Sequence, residues 1–393
     1  MLTFAGIMGS SKLDQYLFGL LRMAVCGEPF AGMPTAEEWA ALYLAARQQS
    51  VIGVVYAAVE KLPKEQQPPV QLTMQWMSEA EAVRGLNQLQ YQEAARLTKL
   101  FGDMGRRTVI LKGQANALLY PNKYWRQPGD IDIWVEGGRD SVMALLEKAG
   151  IDMGSKAKAS YHHVHLPPNE NGVTVEVHYW PSSGNMNPIT NWRLQKWLMQ
   201  ELDQTTPDPS YSGGGYLKGR PSYSGGEFNA PSMRFALVMQ LAHIQRHFLA
   251  GGIGLRQICD YLMLLRHATE EDRQTVADKL NSFGLRHAAE ALMWVLGEVL
   301  HLDAGLMVCR PDSYRGEWML REIMVGCNFG KYAQRQQYRV LRRVMESKHR
   351  RLKLLRFDFW EVFWGEVDFW KAVVRTLPKR IKYRTLSLKG IPS

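Results

Sequence analysis

Thr108-Val-Ile-Leu-Lys-Gly-Gln114 and, after a spacer of fifteen residues, Asp130-Ile-Asp-Ile-Trp-Val135 decide how this chain folds. The first run is β-branched and ends at a glycine, which reads as a short strand over 108–112 turning at Gly113 into a short helix over 115–120. The second alternates polar with apolar, the period of a strand. Residues two apart along a strand point the same way, so Asp130 and Asp132 share one face while Ile131 and Ile133 enter the core. Further on, 141–148 suits a helix, and 160–166 with 172–179 reads as a hairpin about Pro167-Pro-Asn-Glu-Asn-Gly172. In Val173-Thr-Val-Glu-Val-His-Tyr179 the valines mark the buried side, leaving Thr174, Glu176 and His178 together on the other.

Two carboxylates side by side repel each other unless a cation sits between them, and a third acid on an apolar strand is their natural partner. Asp130, Asp132 and Glu176 are therefore the candidate catalytic residues and metal ligands, and hard oxygen donors of this kind suit Mg²⁺ or Mn²⁺. A solvated cluster of edge-strand acids is the plainer alternative. Gly113 weighs against it, because a residue without Cβ lets backbone amides approach a phosphate at a strand-to-helix turn. Lys112 and Arg126 add positive charge for a triphosphate, and Arg126-Gln-Pro-Gly129 is a turn that aims Asp130.

Outward from this α/β unit the pattern is helical. Residues 12–105 hold a capping box at Thr35-Ala-Glu-Glu38 and a second long helix following Pro69, from about 72 to 101. Residues 203–230 are rich in Gly, Ser, Pro and Tyr and repeat Pro-Ser-Tyr-Ser-Gly-Gly at 209–214 and 221–226, which reads as a loop. Ser232 caps the next helix, followed by runs at 254–267, 271–282 and 285–301. The expected organisation is an N-terminal helical region (1–105), an α/β core (106–202), the loop (203–230), a helical domain (231–330) and a tail (331–393).

The histidines add detail. If the hairpin pairs so that residue numbers sum to about 339, His163 faces Glu176, where it orients that acid, touches a leaving pyrophosphate, or simply belongs to a surface histidine cluster with His162 and His165. His243 and His247 are one helical turn apart but lack the Glu of H-E-x-x-H, so they read as helix-packing residues. Arg256 and Asp260, four apart, are placed to pair with each other.

Charge separates the tail from the body. The chain carries +10, yet residues 331–393 hold 17 Lys/Arg against 5 Asp/Glu, which leaves the rest slightly acidic. Within the tail, Trp360, Phe363, Trp364, Val367, Trp370 and Val374 recur at helical spacing between basic runs at 335–356 and 379–384. Such a helix suits an anionic membrane surface or stacking on single-stranded RNA, or it packs on the helical domain. The four scattered cysteines, Cys26, Cys259, Cys309 and Cys327, show neither zinc spacing nor a disulfide framework. No signal-peptide pattern or apolar span of membrane length is present. A cytoplasmic location, peripheral to the inner face of the membrane, fits best.

Lys112-Gly113-Gln114, Asp130-Ile-Asp132 and Glu176 resemble the DNA polymerase beta-type nucleotidyltransferase superfamily. Its pattern is a hydrophobic residue, Gly, Gly or Ser, a spacer, D-h-D and a third strand carboxylate. The longer set of Leu111-Lys-Gly113, Tyr120, Arg126-Gln-Pro-Gly-Asp-Ile-Asp132, His162-His163, Val175-Glu-Val-His178, His243, His247-Phe248 and Gly254-Leu-Arg-Gln-Ile-Cys-Asp260 is similar to a largely uncharacterised bacterial nucleotidyltransferase family, some of whose members lie in polysaccharide gene clusters. The resemblance covers about residues 20–300. It implies an α+β fold, a small mixed-sheet polymerase beta-like domain flanked by N-terminal and C-terminal helical regions. It also implies transfer of a nucleoside monophosphate from an NTP to an acceptor hydroxyl, with pyrophosphate leaving. Asp130 and Asp132 would hold two Mg²⁺, and Glu176 would hold the catalytic ion and help deprotonate the acceptor. Lys112, Gly113, Gln114, Arg126, His163 and Arg256 would surround the nucleotide. Gln114 stands where the superfamily has Gly or Ser, so an amide replaces a hydroxyl as the phosphate donor. Two other classes stay open: a degenerate nucleotide-binding or scaffold protein, and a membrane- or RNA-associated adaptor acting through its tail.

Overall fold

The computed structural model describes residues 11–153, 159–204, 228–326, 352 and 354–382. Its N-terminal part is four helices, α1 (Lys12–Cys26), α2 (Ala36–Gln48), α3 (Ile52–Val59) and α4 (Val70–Asp103). The capping box forms as expected: Thr35 Oγ1 accepts from Glu38 N and Glu38 accepts from Thr35 N, at 3.3 and 2.8 Å. Ser11 and Asp14 do the same for α1. Pro69 precedes α4, whose 34 residues make a rod about 50 Å long that runs beneath the sheet.

That sheet is built from β1 (Thr108–Ile110), β2 (Ile131–Val135), β3 (His163–Leu166) and β4 (Val175–His178), in the order β1-β2-β4-β3. Two short helices, α5 (Gln114–Ala117) and α6 (Gly138–Lys148), follow β1 and β2. β2 and β4 run parallel while both outer pairs are antiparallel, so the sheet is mixed. Ile131, Ile133, Val135, Val175 and Val177 pack with Leu97 and Phe101 of α4 and Val142 and Leu146 of α6. The alternation therefore covers one face with helices and turns Asp132, Glu176 and His178 to the other.

The hairpin register differs from expectation. His163 pairs with His178 and His165 with Glu176, so the numbers sum to 341 rather than 339. A slip of two preserves every residue's face, because the side-chain period is two. The reason lies in the turn, where Asn169 Oδ1 accepts from Asn171 N and Val173 N, both at 3.0 Å, and fixes the loop length.

The C-terminal half is helical: α7 (Pro188–Gln204), α8 (Met233–Ala250), α9 (Leu255–His267), α10 (Glu270–Lys279), α11 (Arg286–Leu300), α12 (Ser313–Gly326) and α13 (Phe359–Lys382). Ser232 caps α8 by accepting from Phe235 N at 3.1 Å. The repeated hexamers at 209–214 and 221–226 lie outside the described residues. The chain re-enters at Asn229, whose carbonyl accepts from Ile110 N at 2.8 Å and whose Nδ2 donates to Thr108 O at 2.9 Å, covering the edge of β1.

Of the alternatives for the aromatic stripe of the tail, packing on the helical domain is not what the structure shows. Leu354, Phe357 and Val362 are buried, but Phe359, Trp360, Phe363, Trp370 and Val374 point outward. The basic run at 335–356 falls mostly outside the described residues. Glu361 seats α13 on the body, accepting from Met186 N at 2.7 Å and Asn187 N at 3.3 Å ahead of α7. Burial pushes its carboxyl up to about 7. A folded pKa above the unfolded value of about 4.3 means stability present below that value and lost as pH rises through 7. Glu361→Gln is therefore expected to flatten the decline in thermal midpoint between pH 5 and pH 8, read by calorimetry.

Candidate active site

Register puts the acids together. β2 and β4 pair with Asp132 beside Glu176, and Asp130 sits one residue ahead of β2. One carboxylate oxygen from each of Asp130, Asp132 and Glu176 lies within 4.8 Å of the others. Gly113 enters this corner with φ +64° and ψ −104°, a combination open to glycine. A Cβ there would meet only Asp130 O at 3.5 Å, an ordinary contact, so a substitution is resisted by the backbone and not by a clash. Gly113→Ala is expected to cost about 1–3 kcal/mol, checked by the urea midpoint.

Positive charge meets the acids directly. Lys112 Nζ is 2.8 Å from Asp132 Oδ2, and His178 Nε2 is 3.1 Å from Asp132 Oδ1 and 3.3 Å from Glu176 Oε2. Burial favours a neutral Asp132, but Lys112 and His178 outweigh it and hold the carboxyl well below the usual range. Burial also opposes charge on Lys112, and the Asp132 and Asp130 carboxylates override it and raise its pKa. His178 is raised to about 9: burial works against it, and its bonds to Asp132 and Glu176 win. Glu176 is raised, first by burial and, against the His178 bond, by the neighbouring carboxylates of Asp132 and Asp130.

Histidines crowd the same corner. His163 Nδ1 lies 3.4 Å and His165 Nδ1 3.1 Å from Glu176, so His163 reaches the acid diagonally while His165 is its cross-strand partner. Burial lowers His163 to about 4 and His162 to about 3, each helped by neighbouring histidines. His243 and His247 are partly exposed, their rings 4.3 Å apart, and burial lowers both, His247 to about 4, with the charge of Lys112 adding to it. Four of the chain's ten histidines, 162, 163, 165 and 178, thus gather here.

Three residues expected around the nucleotide are engaged by other groups of the protein. Arg126 is buried in a two-pronged pair with Asp260, Nε to Oδ1 and Nη2 to Oδ2 both at 2.7 Å, while Tyr120 donates to the same carboxylate at 2.8 Å. Arg256 donates from Nη1 to Gln127 O at 3.2 Å and Pro128 O at 3.4 Å, and burial lowers its guanidinium to about 10. Gln114 turns inward, its amide donating to Gln90 of α4, whose own amide donates to Gly129 O. Asn87 of α4 donates to Arg126 O at 2.8 Å. Carbonyls at 126–129 are thus gripped from α4 and α9, which fixes the loop that delivers Asp130.

His178, expected only to share the face of Glu176, touches two of the three acids. Its signal was present, since Val-Glu-Val-His alternation puts it on the face of Glu176. Gln90 and Asn87 carried none, being polar residues in a helix far away in sequence, and Asp260 was read with Arg256, not with Arg126. No curated protein and no solved structure matches the chain. A family model described as an uncharacterised nucleotidyltransferase matches residues 35–301, an interval that includes Gly113, Asp130, Asp132, Glu176 and every residue holding the 126–129 loop. With that match spanning more than half its length, the chain belongs to this nucleotidyltransferase family.

Proposed function

We propose that the protein transfers a nucleoside monophosphate from an NTP to an acceptor hydroxyl, with release of pyrophosphate. The convergence of Asp130, Asp132 and Glu176 beside the Gly113 turn carries this reading. Their fit to a divalent cation rests on the donor set: three carboxylates in one corner, faced by Lys112 and by His178, which must share itself between two of them. Mg²⁺ or Mn²⁺ held there supplies Lewis-acid stabilisation of phosphate oxygens. The chain's own groups do the rest. Glu176, with its pKa raised, is the residue placed to take the acceptor proton. Lys112 fixes Asp132, and the gripped 126–129 loop fixes Asp130. The test is Mg²⁺-dependent movement of label from an α-labelled NTP to acceptor with equimolar pyrophosphate. Nucleotide binding without release would favour the degenerate reading.

We further propose that α13 rests on an anionic membrane surface. Trp360 is 60% exposed, Trp370 56% and Val374 67%, and with Phe359, Phe363 and Val367 they fall on one side of the helix at spacings of three and four. Lys379, Arg380 and Lys382 follow on the same helix, in a tail of net +12. No described helix is long and apolar enough to cross a membrane, so an interfacial position suits this face. Aliphatic valines among the aromatics favour lipid over base stacking. Phe363→Ser with Trp370→Ser is expected to lower partition onto phosphatidylglycerol-containing vesicles at least about tenfold, measured by co-sedimentation. Retention of RNA without vesicle binding, or self-association through this face alone, would overturn it.

A further inference from the structure

We infer that His163, His178 and Glu176 form a second metal position, adjoining the three-carboxylate one, that takes a first-row transition-metal dication in preference to Mg²⁺. This rests on the transferase reading above and specifies one of its ions. One ligand atom from each of the three residues lies within 4.8 Å of the others, a spread that one ion can span. Glu176 belongs to both triads, as a carboxylate bridging two neighbouring ions would. The donors differ in kind between the triads. Three carboxylates suit a hard ion, whereas two imidazoles and a carboxylate suit Mn²⁺ through Zn²⁺ and bind Mg²⁺ poorly.

The rings are oriented for ligation by their far nitrogens. His178 Nδ1 lies 3.3 Å from Trp180 O, which leaves Nε2 facing Asp132 Oδ1 at 3.1 Å and Glu176 Oε2 at 3.3 Å, and a dication bound there displaces the proton that Nε2 shares with them in the metal-free protein. His163 Nε2 is engaged 2.9 Å from His165 Nε2, which turns Nδ1 toward the same carboxylate oxygen of Glu176. That buried Nδ1 makes no hydrogen bond, its closest acceptor being Glu176 Oε2 at 3.4 Å. A second nitrogen held by a carbonyl or another polar group is the usual setting of a metal-bound histidine. An imidazole that merely steadied Glu176 would complete a hydrogen bond to it.

The full-length, metal-free protein is titrated with Mn²⁺ in excess Mg²⁺ and read by pulsed electron paramagnetic resonance for ¹⁴N coupling. One Mn²⁺ per chain with coupling to two imidazole nitrogens is expected, and it should persist in Asp130→Ala. His163→Ala should leave one coupled nitrogen and weaken Mn²⁺ at least tenfold, with Mg²⁺ binding unchanged. Mn²⁺ bound without nitrogen coupling, or coupling indifferent to His163→Ala, overturns the second site. Two-nitrogen coupling with no transfer on any NTP would instead sink the transferase reading and leave the metal site standing.

Discussion

Asp130→Ala is expected to lower NTP-dependent labelling of acceptor by about 10³-fold or more while leaving the thermal midpoint unchanged or slightly raised. The two halves of that expectation have one cause. Asp130 is a partly exposed acid ahead of β2, standing among two other carboxylates. Removing it relieves like-charge repulsion in the metal-free protein and removes a ligand from the loaded one. Asp132 does not offer the same clean test. It is 1% exposed and pairs with Lys112 and His178, so Asp132→Ala takes the shared carboxylate from both cations and costs about 3–5 kcal/mol on its own. Lost turnover in that variant would not separate chemistry from folding. Retained turnover in Asp130→Ala would remove the metal assignment.

Arg126→Ala should destabilise as much as Asp132→Ala, by about 3–5 kcal/mol in denaturant unfolding. Its guanidinium and the Asp260 carboxylate are 6% and 2% exposed, so solvent screens little of the lost interaction. Arg126→Lys should recover only part of it, because an ammonium cannot reproduce two parallel bonds to one carboxylate. The double variant Arg126→Met, Asp260→Leu should be less damaging than Arg126→Ala, since it leaves no unpaired charge behind. Tyr120 then loses its acceptor, which keeps the double variant below wild type. Activity should fall in all three, because carbonyls next to Asp130 are set by this pair. A stability loss under 1 kcal/mol for Arg126→Ala would show that the loop is held by Asn87, Gln90 and Arg256 alone.

How much of this was legible in the chain depended on distance along it. The capping box at Thr35, the strand faces of 131–135 and 175–178 and the helix following Pro69 are local patterns, and each formed within a few residues of its expected bounds. The acid triad was legible because alternation fixes a face without needing the partner strand. Parallel pairing of Asp132 with Glu176 was not, since it depends on a crossover through α6 and the hairpin. Hairpin register failed by two because turn geometry, not side-chain pattern, sets it. Arg126 was misplaced for another reason. A basic residue four before an acid pair reads as a phosphate ligand until Asp260, 134 positions away, is seen to claim it. Gln114 was misread in the same way, since Gln90 lies on a helix whose rotation the sequence does not fix. The tail was read correctly as amphipathic, but which side faces the body depended on Glu361 meeting the amides at 186–187.

The measurement that bears most directly on the whole account is a crystal structure with Mn²⁺ and a non-hydrolysable NTP, read by anomalous scattering. The account predicts a peak among Asp130, Asp132 and Glu176, a second within ligand distance of His163 and His178, and the triphosphate lying against both beside the Gly113 turn. A triphosphate bound with no ion among the three carboxylates, or one seated away from this corner, would contradict it.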